Sequence, residues 1–362
     1  MVDAAAELDR RLRGPDEARA VRDLDALLPD LRLAVTVAAG DLRGRLAAAL
    51  YRYGYHCQRY EVLAWGYAAA ASGRPGALAA AATHAWGRGD LDTARRLLAS
   101  ARPDPAVHEV LGDIALVDCD AEAARGHYRR MARLASDGAV RASGLAAEAM
   151  VLAWSGDPQA ADATGNPTGM AVARYGLGEA LADVDPDRAL ALLDEATSLA
   201  RGVDNRLFGA AAASAASAVR SRHGDPVPAL RRFREVVALL REAGNETLQA
   251  AALRNLVVLF ARIGADEAAA LLDAALPAAS VYPAEATRLT RARTAVAERL
   301  GTDAVAAAHR RAEALTPGHV VDAALGAIDR ALGERTADPD SRSRSGARPL
   351  PPGRASLPWS GV

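Results

Sequence analysis

The stretch Gly224–Leu240, G-D-P-V-P-A-L-R-R-F-R-E-V-V-A-L-L, decides the fold class. Asp225 is a strong helix N-cap, and Pro226 follows where its missing N–H costs nothing. Ala229, Leu230, Phe233, Val236, Val237 and Leu240 then make one apolar stripe at helical spacing, while Arg231, Arg232, Arg234 and Glu235 lie off it. One face is core and the other is water.

The same signature, an Asp closing a turn and an Ala four residues on, recurs along the chain. It reads Asp90/Ala94, Asp120/Ala124, Asp157/Ala161, Asp185/Ala189, Asp225/Ala229 and Asp266/Ala270, with 28 to 41 residues between successive Asp. That period is one helical hairpin plus a variable loop, and each Asp is expected to open a second helix. Pro158 and Pro186 repeat the Pro, and Gly89, Gly156, Gly224 and Gly264 stand where a preceding helix ends in a left-handed turn. Eight positions beyond the Asp a large residue recurs, as Leu98, Tyr128, Leu193 and Phe233, which fills the groove of a neighbouring hairpin. After Asp185 the stripe is Ala189, Leu190, Leu193, Ala196 and Ala200. The pattern specifies an all-α chain, a tetratricopeptide-like α-solenoid of antiparallel helix hairpins.

Working outward, residues 41–282 form the array, with a flexible, irregular joint near 162–168 where Thr164-Gly165-Asn166-Pro167 breaks a second helix. Residues 283–333 hold three capping helices without the signature, near Ala284–Leu300, Asp303–Leu315 and His319–Leu332. Residues 1–40 read as charge-rich, loosely docked helices. Residues 334–362, rich in Ser, Arg, Pro and Gly, read as a disordered tail.

Composition agrees. Ala and Leu dominate and β-branched and aromatic residues are scarce, which favours helix. No Lys occurs; 44 Arg against 45 acidic residues give a net charge of −1, without the excess that non-specific nucleic-acid binding requires. Cys57 and Cys119 form no C-x-x-C pair and read as isolated buried thiols. No signal-type leader and no run of membrane-spanning length is present, so the expectation is a cytoplasmic protein without membrane contact.

Three segments carry a resemblance: ARYGLGEALADVDPDRALALLDEATSLARGVDN from Ala173, ASAVRSRHGDPVPALRRFREVVALLREAGN, and LRNLVVLFARIGADEAAALLDAAL. They resemble the C-terminal tetratricopeptide-like region of actinobacterial transcriptional regulators (LuxR-type or antibiotic-regulatory-protein type), which join a DNA-binding or signalling domain to a STAND-class ATPase and then to such an array. Leu46–Ala71 looks like the start of the same region, and the likeness spans about Asp41 to Leu332. It implies a regulatory sensor or adaptor that binds a protein, a peptide or a small effector. The rival reading is a separately encoded piece of such a regulator, acting beside an ATPase or DNA-binding partner. The family's phosphate-binding G-x-x-x-x-G-K-[ST] loop is absent, and its lysine cannot exist here. Gly244-Asn245-Glu246-Thr247 also departs from the aromatic-bearing turn often found before the L-R-N segment.

Chemistry has no visible seat. The seven His show no i, i+4 pair flanking an acid, and no G-x-S-x-G elbow occurs, so no catalytic, cofactor or metal residue is assigned. An enzyme with an unrecognised site is a third reading without support in the sequence. Leu315-Thr316-Pro317 resembles the opening of a LuxR-type DNA-binding domain, but the helical pattern ends too early for a recognition helix, and no direct nucleic-acid binding is expected. The partner-facing candidates are Arg174, Tyr175, Glu179, Arg254 and Asn255, polar residues on first helices of hairpins. Tyr53 and Tyr60 join them from an aromatic concentration, Tyr51 to Trp86, that serves either packing between helices or a recognition groove. Two Arg clusters, Arg125/Arg129/Arg130/Arg133 and Arg220/Arg222/Arg231/Arg232/Arg234, read as solvated helix faces or anion sites.

Overall fold

A computed structural model describes residues 1–151, 165–276 and 283–337. Among the described residues the chain is all-helical, with no strand. In chain order the helices are α1 (Val2–Leu12), α2 (Glu17–Val37), α3 (Gly40–Ala49), α4 (Tyr51–His56), α5 (Tyr60–Ala69), α6 (Pro75–Gly87), α7 (Leu91–Leu98), α8 (Pro105–Val117), α9 (Ala121–Leu134) and α10 (Gly138–Val151). There follow α11 (Pro167–Leu181), α12 (Pro186–Gly202), α13 (Arg206–His223), α14 (Pro226–Ala243), α15 (Glu246–Ile263), α16 (Asp266–Ala275), α17 (Pro283–Leu300), α18 (Thr302–Glu313) and α19 (Pro317–Ala337).

Local capping explains where the second helices begin. The side-chain Oδ1 of Asp90, Asp120, Asp185 and Asp225 accepts from the N–H of Thr93, Ala123, Arg188 and Val227 at 3.0, 3.0, 3.2 and 2.9 Å. The signature alanines Ala94, Ala124, Ala189 and Ala229 are fully buried, as are Leu98, Tyr128, Leu193 and Phe233. Asp157 lies outside the described residues. Asp266 does not act as expected: Ala265 holds the cap position and Asp266 is the first helical residue, its carboxylate gripped by Arg299 at 2.6 and 2.7 Å. The register in this unit is therefore shifted by one, and Ala269 takes the close-approach position.

The turns differ in part from expectation. Gly89 and Gly264 are left-handed, at φ 76° and 78°, whereas Gly224 is extended at φ −131°. Cys119 at φ 58° takes the left-handed place before Asp120, where sequence offers no Gly.

Consecutive helices pack on one another from α5 to α16, and alternate ones also touch, as α6 on α8, α11 on α13, α13 on α15 and α15 on α17. Helix α19 packs on α14 and α16, burying Val320, Val321, Ala324 and Ile328 in the core that holds Phe233, Leu256 and Phe260. It runs to Ala337, so the first residues expected in the tail are helical; residues 338–362 lie outside the described residues.

Apolar packing and a buried polar network hold the N-terminal helices and residues 165–168 against the rest of the described chain. Helices α1 and α2 are not loosely docked: Leu12, Val21, Leu24 and Leu31 share a core with Leu46, Leu50 and Tyr53. The described part of the expected joint, residues 165–168, is bound into the interior. Asn166 and Thr168, each 3% exposed, hold the carboxylate of Glu17, 2% exposed. Thr168 N–H donates to Glu17 Oε2 at 3.0 Å, Asn166 Nδ2 donates to the same oxygen at 3.2 Å, and the Thr168 hydroxyl donates to Oε1.

The first helices have caps of their own. Oδ1 of Asn166, Asn205 and Asn245 accepts from Gly169, Phe208 and Leu248 at 2.8, 3.1 and 2.9 Å. Capping with the carbonyl leaves each amide nitrogen to donate across the interior. Asn166 reaches Glu17, Asn205 reaches Thr168 Oγ1 at 2.8 Å, and Asn245 reaches Gln58 Oε1 at 2.8 Å. The last bond accompanies direct packing of α4 on α13 and α6 on α15, which brings the N-terminal third against the C-terminal half.

Asp can cap but cannot donate, and this separates the two ends of the network. Asn166→Asp sets a second carboxylate against Glu17 and is expected to cost about 3–5 kcal/mol. Asn245→Asp faces a neutral amide and is expected to cost about 1–3 kcal/mol. Urea denaturation of both variants at about pH 8 or above, where Glu17 is ionised, measures the order; equal losses would refute the assignment of Glu17 as the network's charged centre.

Candidate functional site

The residues singled out by sequence do not assemble into one surface. Tyr53 is fully buried and donates its hydroxyl to Asp25 at 2.6 Å, so it is a packing residue and cannot face a partner. Tyr60 is half-buried; its hydroxyl would meet a Cβ at Gly87, so only glycine leaves it room. On α11, Arg174 pairs with Glu195 at 2.5 Å and Tyr175 packs against the cluster around Leu193 and Val219. Glu179 is half-buried. On α15, half-buried Asn255 donates to the Ala251 carbonyl at 3.3 Å, while Arg254 lines a cavity described below. Most of both Arg clusters is engaged in ion pairs: Arg125 with Glu122, Arg129 with Glu148, Arg220 with Asp194, Arg222 with Asp183, Arg232 with Glu235 and Arg234 with Asp329. Pairing at that density fits solvated helix faces better than anion sites.

Most of the aromatic concentration packs, although Tyr67 is exposed. Tyr51 stacks on Tyr55 at 5.9 Å, Tyr55 meets the edge of Trp86 at 6.2 Å, and these rings share a core with Leu207, with Phe208 and Leu248 against it. Their hydroxyls need acceptors in that dry setting, and two acids from α8 supply them. Tyr51 donates to Glu109 at 3.0 Å, Tyr128 donates to Asp113 at 2.7 Å, and Tyr55 donates to the second oxygen of Asp113. Burial, reinforced by repulsion from Glu109, pushes Asp113 up to about 7 against the pull of the two hydroxyls. Burial likewise pushes Glu17 up to about 7, against the hydrogen bonds from Thr168 and Asn166. Burial raises the Cys57 thiol, so this buried sulfur is unreactive; Cys119 is only half-buried.

One histidine pair was invisible to sequence because 19 residues separate its members. His108 and His127, on neighbouring α8 and α9, face each other with Nδ1 atoms 3.1 Å apart. A hydrogen bond between them needs one Nδ1 to donate and the other to accept, so the accepting ring is neutral. Burial, each other's charge and Arg130 hold His108 down to about 4, and burial with Arg130 lowers His127. Among the described residues no group of three or more His, Cys, Asp or Glu is placed to hold a metal ion, and no helix is long and apolar enough to cross a membrane.

A cavity of about 600 Å³ lies among α15, α16, α17 and α18. Its floor is apolar and buried: Val257, Ala269, Ala270, Leu289, Ala292 and Val296. Six of its lining residues are alanines, which leave open the space that leucines would fill. The rim is polar, with Arg254, Asp273, Thr290, Arg293 and His309. Arg293 grips Asp273 through two bonds of 2.8 Å. A smaller pocket of about 280 Å³ sits between α12, α13 and α14, walled by Arg201, Asp204, Arg206, Glu235 and Glu242. Its charges are partly matched, Arg206 to Asp204 at 3.3 Å and Arg201 to Glu235 at 3.5 Å.

Sequence reading missed the interior asparagines, Asp113, the histidine pair and all of the cavity floor except its alanine signature. For the asparagines a signal existed: G-N or D-N directly before a first helix, at Asn166, Asn205 and Asn245, against Asp before second helices. No family profile, no curated protein and no solved structure matches the chain.

The two raised carboxyls fix a pH dependence. A group whose pKa is higher folded than unfolded contributes stability that is complete below the unfolded value and lost as pH rises through the folded one. For Glu17 and Asp113 the unfolded values are 4.5 and 3.8 and both folded values are about 7, so their contribution falls between roughly pH 4 and 7. Against the opposite pull of the lowered histidines, among them His56, His108 and His127, the two carboxyls contribute a downward slope of urea midpoint between about pH 6 and 8. Asp113→Asn, whose amide still meets both hydroxyls, is expected to flatten that slope; an unchanged slope would show that Asp113 does not titrate there.

Proposed function

We propose that this protein is a non-catalytic binding module, a tetratricopeptide-like α-solenoid that works as a regulatory sensor or adaptor and takes a small effector at its C-terminal end. The solenoid reading is supported by the repeated capped helices, the buried signature alanines and the packing of each helix on the next and next but one. Its regulatory part is supported by the resemblance of the segments between Ala173 and Leu276 to the arrays of STAND-type regulators, a stretch that runs from within α11 to the end of α16.

The observation that carries the binding seat is the cavity among α15, α16, α17 and α18. Its volume of about 600 Å³ is that of a small-molecule site, apolar below and polar at the rim. Arg254, chosen from sequence as partner-facing, stands at that rim. An inner groove for a peptide is a weaker reading, because the interior near α4, α6, α13 and α15 is closed by the rings of Tyr51, Tyr55 and Trp86 packing toward Leu207.

Thermal-shift screening of the full chain against a small-molecule library tests the proposal. A ligand at about a hundred times its Kd adds about 2.7 kcal/mol, a rise of several degrees in Tm. Hits are expected to stabilise the parent chain and to lose their effect on Ala292→Phe, which fills the cavity. Hits that stabilise both proteins equally would place the seat elsewhere.

A further inference from the structure

Resting on that reading of the cavity, we infer that its ligand is an uncharged, apolar organic molecule. The floor of Val257, Leu289 and Val296, with Ala269, Ala270 and Ala292 between them, offers no side-chain donor or acceptor. A site that selects a polar ligand holds polar groups aimed inward, and a polar molecule entering this one would lose its water without replacement. The buried polar atoms that do lack a protein partner, among them Thr83 Oγ1, Trp86 Nε1 and Gln249 Nε2, belong to residues outside the lining.

The rim carries two arginines against one aspartate, yet neither guanidinium is free: Arg254 has a partner of its own and Arg293 is held by Asp273. Arg293 Nε and Nη2 donate to the two carboxylate oxygens of Asp273 at 2.8 Å each, and the pair sits on the mouth side, where Arg293 is exposed. His309 and Thr290, also exposed, mark the same mouth between α17 and α18. An apolar floor of this kind gains by taking up an apolar guest, which supplies the dispersion contacts that its alanines forgo.

Two fluorescent probes that differ by one sulfonate separate charge from shape: N-phenyl-1-naphthylamine, neutral, and 1-anilinonaphthalene-8-sulfonate, anionic. In titrations of the full chain the neutral probe is expected to saturate at one site and to bind at least about tenfold more tightly than the sulfonate. Its affinity is expected to be unchanged between about 0.05 and 0.5 M salt. Ala292→Phe and, from the opposite wall, Ala270→Leu are each expected to weaken it about tenfold or more, in proteins whose circular dichroism and Tm match the parent. Equal or tighter, salt-sensitive binding of the sulfonate would overturn the neutral class while leaving the cavity as the seat. Binding of neither probe, or binding undiminished in both filled variants, would overturn the cavity itself.

Discussion

The structure depends on side-chain amides that do two jobs at once. An asparagine at a helix start can turn its carbonyl to the free N–H groups of the first turn and still hold two N–H donors for use elsewhere. Asn166, Asn205 and Asn245 use them inward, toward Glu17, Thr168 and Gln58. Each of these asparagines is almost wholly buried, where an unmet donor would be costly. The requirement to satisfy them fixes how the N-terminal third sits on the rest.

That constraint orders the neighbouring features. With α2 tied to α11 through Glu17, the apolar faces of α1 and α2 are committed to the core around Leu46, Leu50 and Tyr53. With Gln58 tied to Asn245, the rings of α4 and α6 are pressed toward α13 and α15, and Thr247 donates to the Trp86 carbonyl at 2.5 Å. Acids are then needed inside to receive tyrosine hydroxyls, which is why Glu109 and Asp113 are tolerated in a dry interior. The C-terminal end is under no such restraint. Its facing walls are alanine-rich and enclose space instead of filling it, and the proposed binding role rests there.

Several features were legible in the chain before any coordinates. Asp90, Asp120, Asp185 and Asp225 cap helices because short-range chemistry leaves them little choice, and the stripe from Ala229 to Leu240 is buried because helical spacing aligns it. Asp266 misled because Ala265 and Asp266 are adjacent and either can stand at a helix start; Arg299, remote in sequence, meets Asp266 as a helical residue. Tyr53 misled because a period-3.6 reading says which side a ring leaves from, not whether another helix covers it. Of the proposed partner-facing residues, Arg254 alone lines the larger cavity, since its place follows from one helix while the cavity needs four.

Sequence by itself determined that the described chain is helical, the caps at Asp90, Asp120, Asp185 and Asp225, and the apolar stripes of the helices they open, since these follow from neighbours within one or two turns. Tertiary structure alone decided that Glu17 would meet Thr168, that His108 would meet His127, and that alanines on α16 and α17 would leave a cavity. The physical reason is range: capping and periodicity act within a few residues, whereas closure of the interior and the size of a void depend on how distant segments are brought together.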